Sequence, residues 1–296
     1  MKAILFPGQG TQFKGMGLGL FKEYPKIVQQ ASELLGYSIE QLCLQDPGGR
    51  LRQTQFTQPA LFVVNALRYY KMRDEAGPGF DPGWVAGHSL GEFNALLAAE
   101  VFDFEVGLKL VQRRGELMST VDGAMAAVLG AAPDRVRGLL DEQGLNGVDL
   151  ANFNAPTQVV IAGTVEGIAQ ALACFERQGI RAVQLNVSAP CHSHHMHEAQ
   201  QRFSEYLAQF TYHPPRIPVV ANASGRPYTA DRIAEILGTQ IASPVQWVDT
   251  VRYLMGKNVE FVEVGILNML TKMVDAIKAA ETPPAVNERP CAPSLR

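Results

Sequence analysis

One serine of this chain lies in a setting that is typical of an enzyme nucleophile. The pentapeptide GHSLG at residues 87–91 fits the pattern GxSxG with Ser89 at its centre. It follows a short apolar run, residues 84–87, that predicts a strand, and it precedes a segment that predicts a helix. In a nucleophile elbow the glycines permit a sharp turn that exposes the serine at the amino end of a helix, where backbone N–H groups can stabilise an oxyanion. Gly and Ser are also common turn residues, so it is the flanking strand and helix that favour a nucleophilic Ser89.

A serine hydroxyl is a weak nucleophile at neutral pH and needs a base. Six histidines are available: His88, His192, His194, His195, His197 and His213. His88 lies inside the turn and is poorly aimed to deprotonate its neighbour. The run CHSHHMH at residues 191–197 is dense enough to suggest a metal site, but a helical histidine pair would need a carboxylate or cysteine to complete it, and HExxH is absent. We expect one histidine of this run to be the base, the others to lie in a solvated loop, and no metal to be bound.

The glycine-rich turn PGQG at residues 7–10 follows the apolar run 3–6, which predicts the first strand. A glycine-rich turn at the carboxyl end of a strand can aim a backbone N–H into a cleft. The spacings GxxxxGK[ST] and GxGxxG of phosphate loops are absent here. We therefore expect a backbone donor in this turn rather than a phosphate site.

Arg114 lies in a predicted helix, residues 105–118, where an arginine is by default solvated. Its neighbours Val111, Leu117 and Met118 instead indicate a largely buried segment. Because a buried guanidinium needs an anion, we expect a carboxylate partner for Arg114.

The elements that must position these residues alternate between short β-rich runs and longer periodic segments. Strands are predicted over residues 3–6, 84–87, 219–222 and 261–264, and helices over 59–70 and 105–118. Parallel strands need helical crossovers, so this order predicts an α/β fold with a parallel sheet.

The stretch between residues 125 and 185 has an order of its own. Strands are predicted over 126–130, 148–152, 158–162 and 181–185, and helices over 133–142 and 165–178. The order βαββαβ is the signature of a ferredoxin-like unit. We therefore predict a large α/β domain formed by residues 1–122 and 187–280, with a ferredoxin-like subdomain, residues 123–186, inserted into it. A ligand cleft is expected between the two.

The bulk composition excludes several classes of protein. The 296 residues are 47% hydrophobic and carry a net charge of −3 from 26 basic and 29 acidic side chains, so neither nucleic acid nor an anionic membrane is indicated as a partner. The apolar run 3–6 ends at Pro7, too short for a signal peptide or a membrane span, which predicts a cytoplasmic protein. Four scattered cysteines without a CxxC pair argue against disulfides and structural zinc. The proline-rich residues 281–296 are predicted to form a tail or linker.

With these residues assembled, the chain resembles the malonyl-coenzyme A:acyl carrier protein transacylase family over nearly its whole length. The motifs that carry the resemblance are FPGQGTQ (6–12), GHSLGE (87–92), RGELM (114–118), NFNAPTQVVIAG (152–163), SAPCHS (188–193) and QIASPVQW (240–247). The stretch TQFTQPALFVVNAL is similar to the discrete, trans-acting acyltransferases of modular polyketide synthases. The resemblance implies a hydrolase-like large domain and the small inserted domain.

The resemblance also implies a role for each matching residue. Ser89 becomes the nucleophile, His192 the general base, and the backbone N–H groups of Gln9 and Leu90 the oxyanion hole, while Arg114 holds the free carboxylate of the malonyl group. The remaining positions belong to the acyl pocket or support the Ser–His dyad: Gln240, whose backbone carbonyl orients the histidine, Met118, Cys191, Asn154 and His88. The implied substrates are malonyl-coenzyme A and the phosphopantetheine of an acyl carrier protein, with no bound cofactor and a polyketide or fatty acid synthase as recipient.

Two positions depart from the family pattern. The family usually has EVGPG near its last strand, where this chain has EVGIL at residues 263–267. Malonyl-specific synthase domains tend to place phenylalanine before the catalytic histidine and methylmalonyl-specific ones serine, and here the residue is Cys191. The extender unit therefore stays open.

Three rival functions also stay open at this point. An acyl hydrolase that clears carrier proteins would use the same serine and histidine, but its neutral acyl chains would not require Arg114. An esterase of the α/β-hydrolase type shares GxSxG but would carry an HGGG-type loop, which is absent. A noncatalytic docking protein would not need an intact Ser89, His192 and Arg114.

Overall fold

The computed structural model describes residues 1–281, and the strands of this part of the chain form two sheets. The strands are β1 (Lys2–Phe6), β2 (Trp84–Gly87), β3 (Ala124–Leu129), β4 (Asp149–Ala155), β5 (Gln158–Gly163), β6 (Arg181–Gln184), β7 (Val219–Ala221), β8 (Arg226–Pro227) and β9 (Glu260–Glu263). The first sheet has the order β8-β7-β2-β1-β9 and the second the order β4-β5-β3-β6.

Helices cover both sheets. They are α1 (Leu20–Glu23), α2 (Pro25–Leu35), α3 (Ile39–Gln45), α4 (Thr54–Ala76), α5 (Gly91–Ala98), α6 (Phe104–Met118), α7 (Pro133–Glu142), α8 (Val165–Arg177), α9 (His197–Leu207), α10 (Ile233–Thr239), α11 (Trp247–Met255) and α12 (Met269–Glu281). No helix within residues 1–281 is long and apolar enough to cross a membrane.

The first sheet is parallel except at one edge. β1 pairs in parallel with β2 and with β9, and β2 pairs in parallel with β7, whereas β8 is antiparallel to β7. β1 is buried from Ala3 to Phe6, which is the continuous apolar pattern of a strand covered on both faces. Because parallel strands end at the same edge of a sheet, the turns after β1, β2 and β7 lie side by side. This edge carries the candidate site.

The second sheet is antiparallel throughout and has a core of its own. Strand side chains such as Val128 and Ile161 pack in one cluster with Leu139 of α7 and Phe175 of α8. Its β4 strand is also joined to the rest of the molecule, since the N–H of Phe153 donates to the carbonyl of Val245 and the N–H of Val245 donates to that of Ala151. The second sheet is therefore held against the segment that leads into α11.

The predicted α/β class and the element order βαββαβ are confirmed, and two element predictions need correction. The helix predicted over 59–70 is part of a longer helix, α4. The sequence did not predict its first turn because the buried residues there, Thr54, Thr57 and Gln58, are polar and form no apolar pattern. The first sheet is mixed rather than purely parallel, since β8 pairs antiparallel with β7. The sequence did not predict β8 because a strand of two residues is too short to show an alternating pattern. The tail predicted over 281–296 lies outside the described residues apart from Glu281, which ends α12.

Candidate active site

Ser89 lies in a sharp turn between a strand and a helix. β2 ends at Gly87 and α5 begins at Gly91, and Ser89 between them adopts a φ of 51°, in the left-handed region that residues other than glycine rarely occupy. Asn222 stabilises this backbone, since its Oδ1 accepts from the N–H of Ser89 at 2.6 Å and its Nδ2 donates to the carbonyl of Gly87 at 2.6 Å. Ser89 is partly exposed while its neighbours are buried. The turn therefore presents this hydroxyl as the predicted elbow would.

Glycines allow the turn after β1 to contact this elbow. A Cβ on Gly8 would lie 2.3 Å from the carbonyl oxygen of His88, and a Cβ on Gly91 would lie 2.0 Å from that of Phe6. Both distances are too short for any other residue without a shift of the backbone. The contact brings the Gln9 segment, predicted to supply an oxyanion donor, next to the segment that contains Leu90.

His192 is hydrogen-bonded to Ser89 on one side and to backbone carbonyls on the other. Its Nε2 lies 2.7 Å from Ser89 Oγ, and its Nδ1 lies 2.9 Å from the carbonyl oxygen of Gln240 and 3.2 Å from that of Ser243. Carbonyl oxygens accept only, so the ring proton is on Nδ1 and Nε2 is free to accept the proton of Ser89. Burial, with a further contribution from the charge of Arg114, lowers the pKa of His192 to about 3. The ring is therefore neutral and able to act as a base near neutral pH.

Arg114 is 1% exposed and directs its guanidinium at Ser89. Its Nη2 donates to Ser89 Oγ at 3.2 Å and to Gln240 Oε1 at 2.9 Å, Nε donates to the same Gln240 oxygen at 3.2 Å, and Nη1 donates to Gln58 Oε1 at 2.6 Å. The expectation of a carboxylate partner is wrong for the described part of the chain, where these side-chain partners are uncharged. Burial lowers the pKa of Arg114 to about 10, which leaves it protonated at neutral pH. A buried cation with no direct anionic partner among residues 1–281 thus lies beside the nucleophilic oxygen.

A buried carboxylate that the sequence did not indicate binds Gln240, the side chain that accepts from Arg114. Glu92 is 1% exposed, and its Oε2 accepts from Gln240 Nε2 at 2.7 Å. Its Oε1 accepts from the hydroxyl of Tyr228 at 2.6 Å and from the N–H of Asn222 at 3.1 Å. Burial raises the pKa of Glu92 to about 7. The motif GHSLGE contains this residue, but nothing in the sequence indicates its partners.

Four further predicted residues lie around the site. His88 turns away from Ser89, with its Nε2 at 2.8 Å from Asn154 Oδ1. Gln58 Nε2 donates a hydrogen bond to the sulfur of Met118 at 3.5 Å. Cys191 precedes His192 and is 6% exposed, and burial raises the pKa of its thiol to about 11.

The remaining histidines of the run 191–197 hold no metal-like arrangement. His194 Nδ1 lies 2.8 Å from Asp149 Oδ2, and His195 Nε2 lies 2.8 Å from the carbonyl oxygen of Gly147. Both histidines therefore connect the loop after Cys191 to the start of β4. Within residues 1–281 no three His, Cys, Asp or Glu side chains are grouped as they would be to bind a metal ion.

Comparison with known proteins identifies relatives that match across the described chain. The model of the acyl transferase domain family matches residues 4–286. The polyketide biosynthesis malonyl CoA-acyl carrier protein transacylase PksC of Bacillus subtilis is 50% identical over 283 residues, which cover 94% of this chain and 97% of PksC. The polyketide biosynthesis protein ThaF of Burkholderia thailandensis is 52% identical over 94% of this chain, but the matched region is 24% of ThaF. This chain thus spans about a quarter of the length of ThaF.

A solved structure shows the same fold. The crystal structure of the malonyl CoA-acyl carrier protein transacylase from Burkholderia pseudomallei superposes with a TM-score of 0.92 and 48% sequence identity, over 96% of this chain and 99% of that one. At this similarity the two proteins share the overall fold.

Proposed function

This chain belongs to the acyl transferase domain family, and from that premise we propose that it transfers a malonyl group from malonyl-coenzyme A to the phosphopantetheine thiol of an acyl carrier protein. The observation that carries the proposal is the buried Arg114, which has neutral amide partners and points at Ser89 Oγ. A buried cation beside the nucleophile is suited to an acyl group that carries its own negative charge. The name of PksC supports the same reaction.

The first half of the reaction acylates Ser89. Its Oγ attacks the thioester carbon while the hydroxyl proton moves to Nε2 of His192, 2.7 Å away. The backbone N–H groups of Gln9 and Leu90 donate hydrogen bonds to the thioester oxygen and stabilise the negative charge that develops there. The carbon–sulfur bond then breaks, the coenzyme A sulfur takes the proton from His192, and an ester remains on Ser89.

The second half returns the enzyme to its starting state. The pantetheine thiol of the carrier protein gives its proton to His192 and attacks the ester carbon, and the Ser89 oxygen leaves and regains that proton. The carbonyls of Gln240 and Ser243 hold Nδ1 in place throughout, so the same nitrogen serves both halves. The protein groups named here complete the proton transfers, and the proposal includes no bound cofactor.

Arg114 determines the class of acyl group in this proposal. A hydrogen bond to a charged group contributes about 1.5–3 kcal/mol, which corresponds to a preference for carboxylated thioesters of about tenfold to more than a hundredfold. We assign Met118 and Cys191 to the wall of the acyl pocket, and Asn154 and His88 to the support of the dyad. Cys191 is small, so the choice between malonyl and methylmalonyl is expected to be less strict than with phenylalanine.

The wider context follows the relatives. PksC and ThaF are named for polyketide biosynthesis, so we propose a polyketide synthase carrier protein as recipient, with a fatty acid synthase carrier as the second possibility. The cytoplasmic location expected from the sequence is retained as part of the proposal. No nucleic-acid or membrane partner is included in it.

We extend the proposal to the domain organisation. The second sheet has the order β6-β3-β5-β4 with every neighbouring pair antiparallel, which is the arrangement expected of a ferredoxin-like subdomain over residues 123–186. Its separate core supports the same boundaries. The hydrolase-like large domain would then comprise residues 1–122 and 187–280.

The intact mass of the protein after mixing with malonyl-coenzyme A tests the function. We expect a malonyl adduct on the wild type, none on Ser89→Ala, and an unchanged adduct on Ser224→Ala, which removes an exposed serine near the same edge. His192→Ala is expected to slow acylation by a factor of about a hundred to ten thousand. A full adduct on Ser89→Ala would contradict the mechanism.

Addition of a phosphopantetheinylated carrier protein separates transferase from hydrolase. The transferase predicts that the malonyl mass moves to the carrier protein. Loss of the adduct to water at the same rate with and without the carrier would instead support the acyl hydrolase, the alternative that the residues of the sequence left open.

A further inference from the structure

The carboxylate of Glu92 has three donors and takes no part in the steps above. Its two oxygens face different partners: Oε1 faces the Tyr228 hydroxyl and the N–H of Asn222, and Oε2 faces Nε2 of Gln240. Glu92 lies on α5, one turn after Ser89, while Asn222 follows β7 and Gln240 follows α10. A single buried side chain therefore joins three separate segments of the site.

The side-chain amide of Gln240 lies between a hydrogen-bond donor, Arg114, and a hydrogen-bond acceptor, Glu92. Its Oε1 accepts from Nε and Nη2 of Arg114, and its Nε2 donates to Glu92 and to the carbonyl of Ser89 at 2.7 Å. Arg114 can only donate, and an ionised Glu92 can only accept. These two neighbours allow one of the two orientations of the amide, with its oxygen toward Arg114.

The orientation of this amide fixes how the guanidinium of Arg114 is placed. The Gln240 oxygen accepts from Nε and Nη2, Gln58 Oε1 accepts from Nη1, and the Nη2 end also donates to Ser89 Oγ. A carboxylate that approached Ser89 as part of an acyl group would meet this end.

We propose that Glu92 is a positioning residue that orients the amide of Gln240, and that it thereby holds Arg114 in the pose that selects a carboxylated acyl group. The proposal rests on the proposed function, since it concerns how that function obtains its substrate class. Glu92 acts through Gln240 and touches neither the acyl group nor Ser89 Oγ.

The substitution Glu92→Gln tests this orientation without a change of size. The new side chain has one acceptor and one NH₂ group in place of two acceptors. The N–H of Asn222 belongs to the backbone and cannot turn, so the acceptor at position 92 is expected to stay with Asn222 and the NH₂ group to face Gln240. The Gln240 amide then has no orientation that suits all its neighbours: unreversed, its NH₂ group meets the NH₂ group at position 92, and reversed, it directs its NH₂ group at Arg114 and its oxygen at the carbonyl of Ser89. Both arrangements weaken the contact that held Arg114.

The measurement is kcat/KM for Ser89 acylation by malonyl-coenzyme A and by acetyl-coenzyme A, with the full-length protein. In Glu92→Gln we expect the ratio of malonyl to acetyl to fall about tenfold or more, the size of a hydrogen bond to a charged group. Tyr228→Phe is the matched control, because it removes a donor from Oε1 of the same carboxylate and leaves Gln240 untouched. Its ratio is expected to stay within about twofold of the wild type, a shift well below the loss of one such bond.

A second variant keeps the test decisive where Glu92→Gln does not fold. The double substitution Glu92→Gln with Gln240→Glu restores a donor–acceptor match between positions 92 and 240 but puts a carboxylate on Arg114. We expect this protein to be acylated by acetyl-coenzyme A and to have lost its preference for malonyl.

The outcomes separate the two proposals. An unchanged ratio in Glu92→Gln, an equal loss with both thioesters, or a double variant with wild-type preference would overturn the role of Glu92. A wild-type protein that prefers acetyl over malonyl would instead overturn the proposed function.

Discussion

Three side chains meet at one oxygen atom in this molecule. Ser89 Oγ lies 2.7 Å from His192 Nε2 and 3.2 Å from Arg114 Nη2. The nearby cation favours a serine that loses its proton, but it also contributes to the low pKa of His192. A carboxylate bound to Arg114 would neutralise that charge, so His192 would become a stronger base when the expected substrate is present. The same contact therefore links substrate class to proton transfer.

The role of Arg114 is open to a direct test at this scale. Because the cationic partner of the malonyl carboxylate is removed and space appears, we expect Arg114→Ala to lose malonyl acylation by about tenfold to more than a hundredfold and to keep or gain acetyl acylation. Competition between the two thioesters for Ser89, followed by intact mass, gives the ratio directly.

Arg113→Ala is the matched control for this substitution. Arg113 neighbours Arg114 on α6, and its side chain is 36% exposed with an ion pair to Glu116 at the surface. The ratio is expected to stay at the wild-type value. If Arg114→Ala slowed both thioesters by one factor, the arginine would be structural and the hydrolase alternative would regain support.

At the scale of the elements, the site depends on contact between two turns of neighbouring parallel strands. The turn after β1 lies against the elbow after β2 so closely that a Cβ on Gly8 would meet the carbonyl of His88 at 2.3 Å. The partner is a backbone atom, which cannot move without displacing the elbow. The spacing of these turns therefore sets the place of the proposed oxyanion donors.

We expect Gly8→Ala to lower kcat/KM by a factor of about a hundred to a thousand, comparable to the loss of one oxyanion donor. Gly138→Ala is the control, since a Cβ on Gly138 has no neighbour within 4 Å in the middle of α7. That change is expected to keep activity and to add up to about 1 kcal/mol of stability. Steady-state kinetics with thermal unfolding of both variants makes the comparison, and an active Gly8→Ala enzyme would show that the turns can separate at no cost.

At the scale of the whole molecule, two of the buried titratable groups, His192 and Glu92, have opposite effects on stability as the pH changes. Burial lowers the pKa of His192 from 6.5 to about 3. Below pH 6.5 the unfolded chain therefore binds a proton at this histidine that the native state does not bind, and the protein loses stability as the pH falls. Glu92 has its pKa raised from 4.5 to about 7 by burial, so the native state binds a proton more tightly, and stability is lost as the pH rises from 4.5 to 7. The two slopes oppose each other between pH 4.5 and 6.5.

The Glu92→Gln variant should expose this opposition. Without the carboxyl group, the loss of stability between pH 4.5 and 7 disappears, so the Tm of the variant minus that of the wild type is expected to increase as the pH rises through this range. Other titrating groups cancel in the difference. Thermal unfolding at a series of pH values makes the measurement, and a flat difference would mean that Glu92 titrates alike in the folded and unfolded chains.

Local patterns in the sequence were sufficient for the fold class, the order of the elements and the elbow at Ser89. Apolar runs, helical periodicity and glycine positions are properties of a few consecutive residues, and they report whether a segment is buried and where the chain turns. The same patterns predicted that Arg114 is buried, and motif resemblance singled out His192 and Gln240.

Only the tertiary structure decided which side chains surround that arginine. Gln58 and Gln240 accept from Arg114, and Glu92 joins Gln240 to Asn222. These five residues come from segments separated by many residues, and no periodicity encodes their contacts. The expectation of a carboxylate on Arg114 was wrong for this reason: burial can be read from neighbours in the sequence, but the partner of a buried charge depends on which segments the fold brings together.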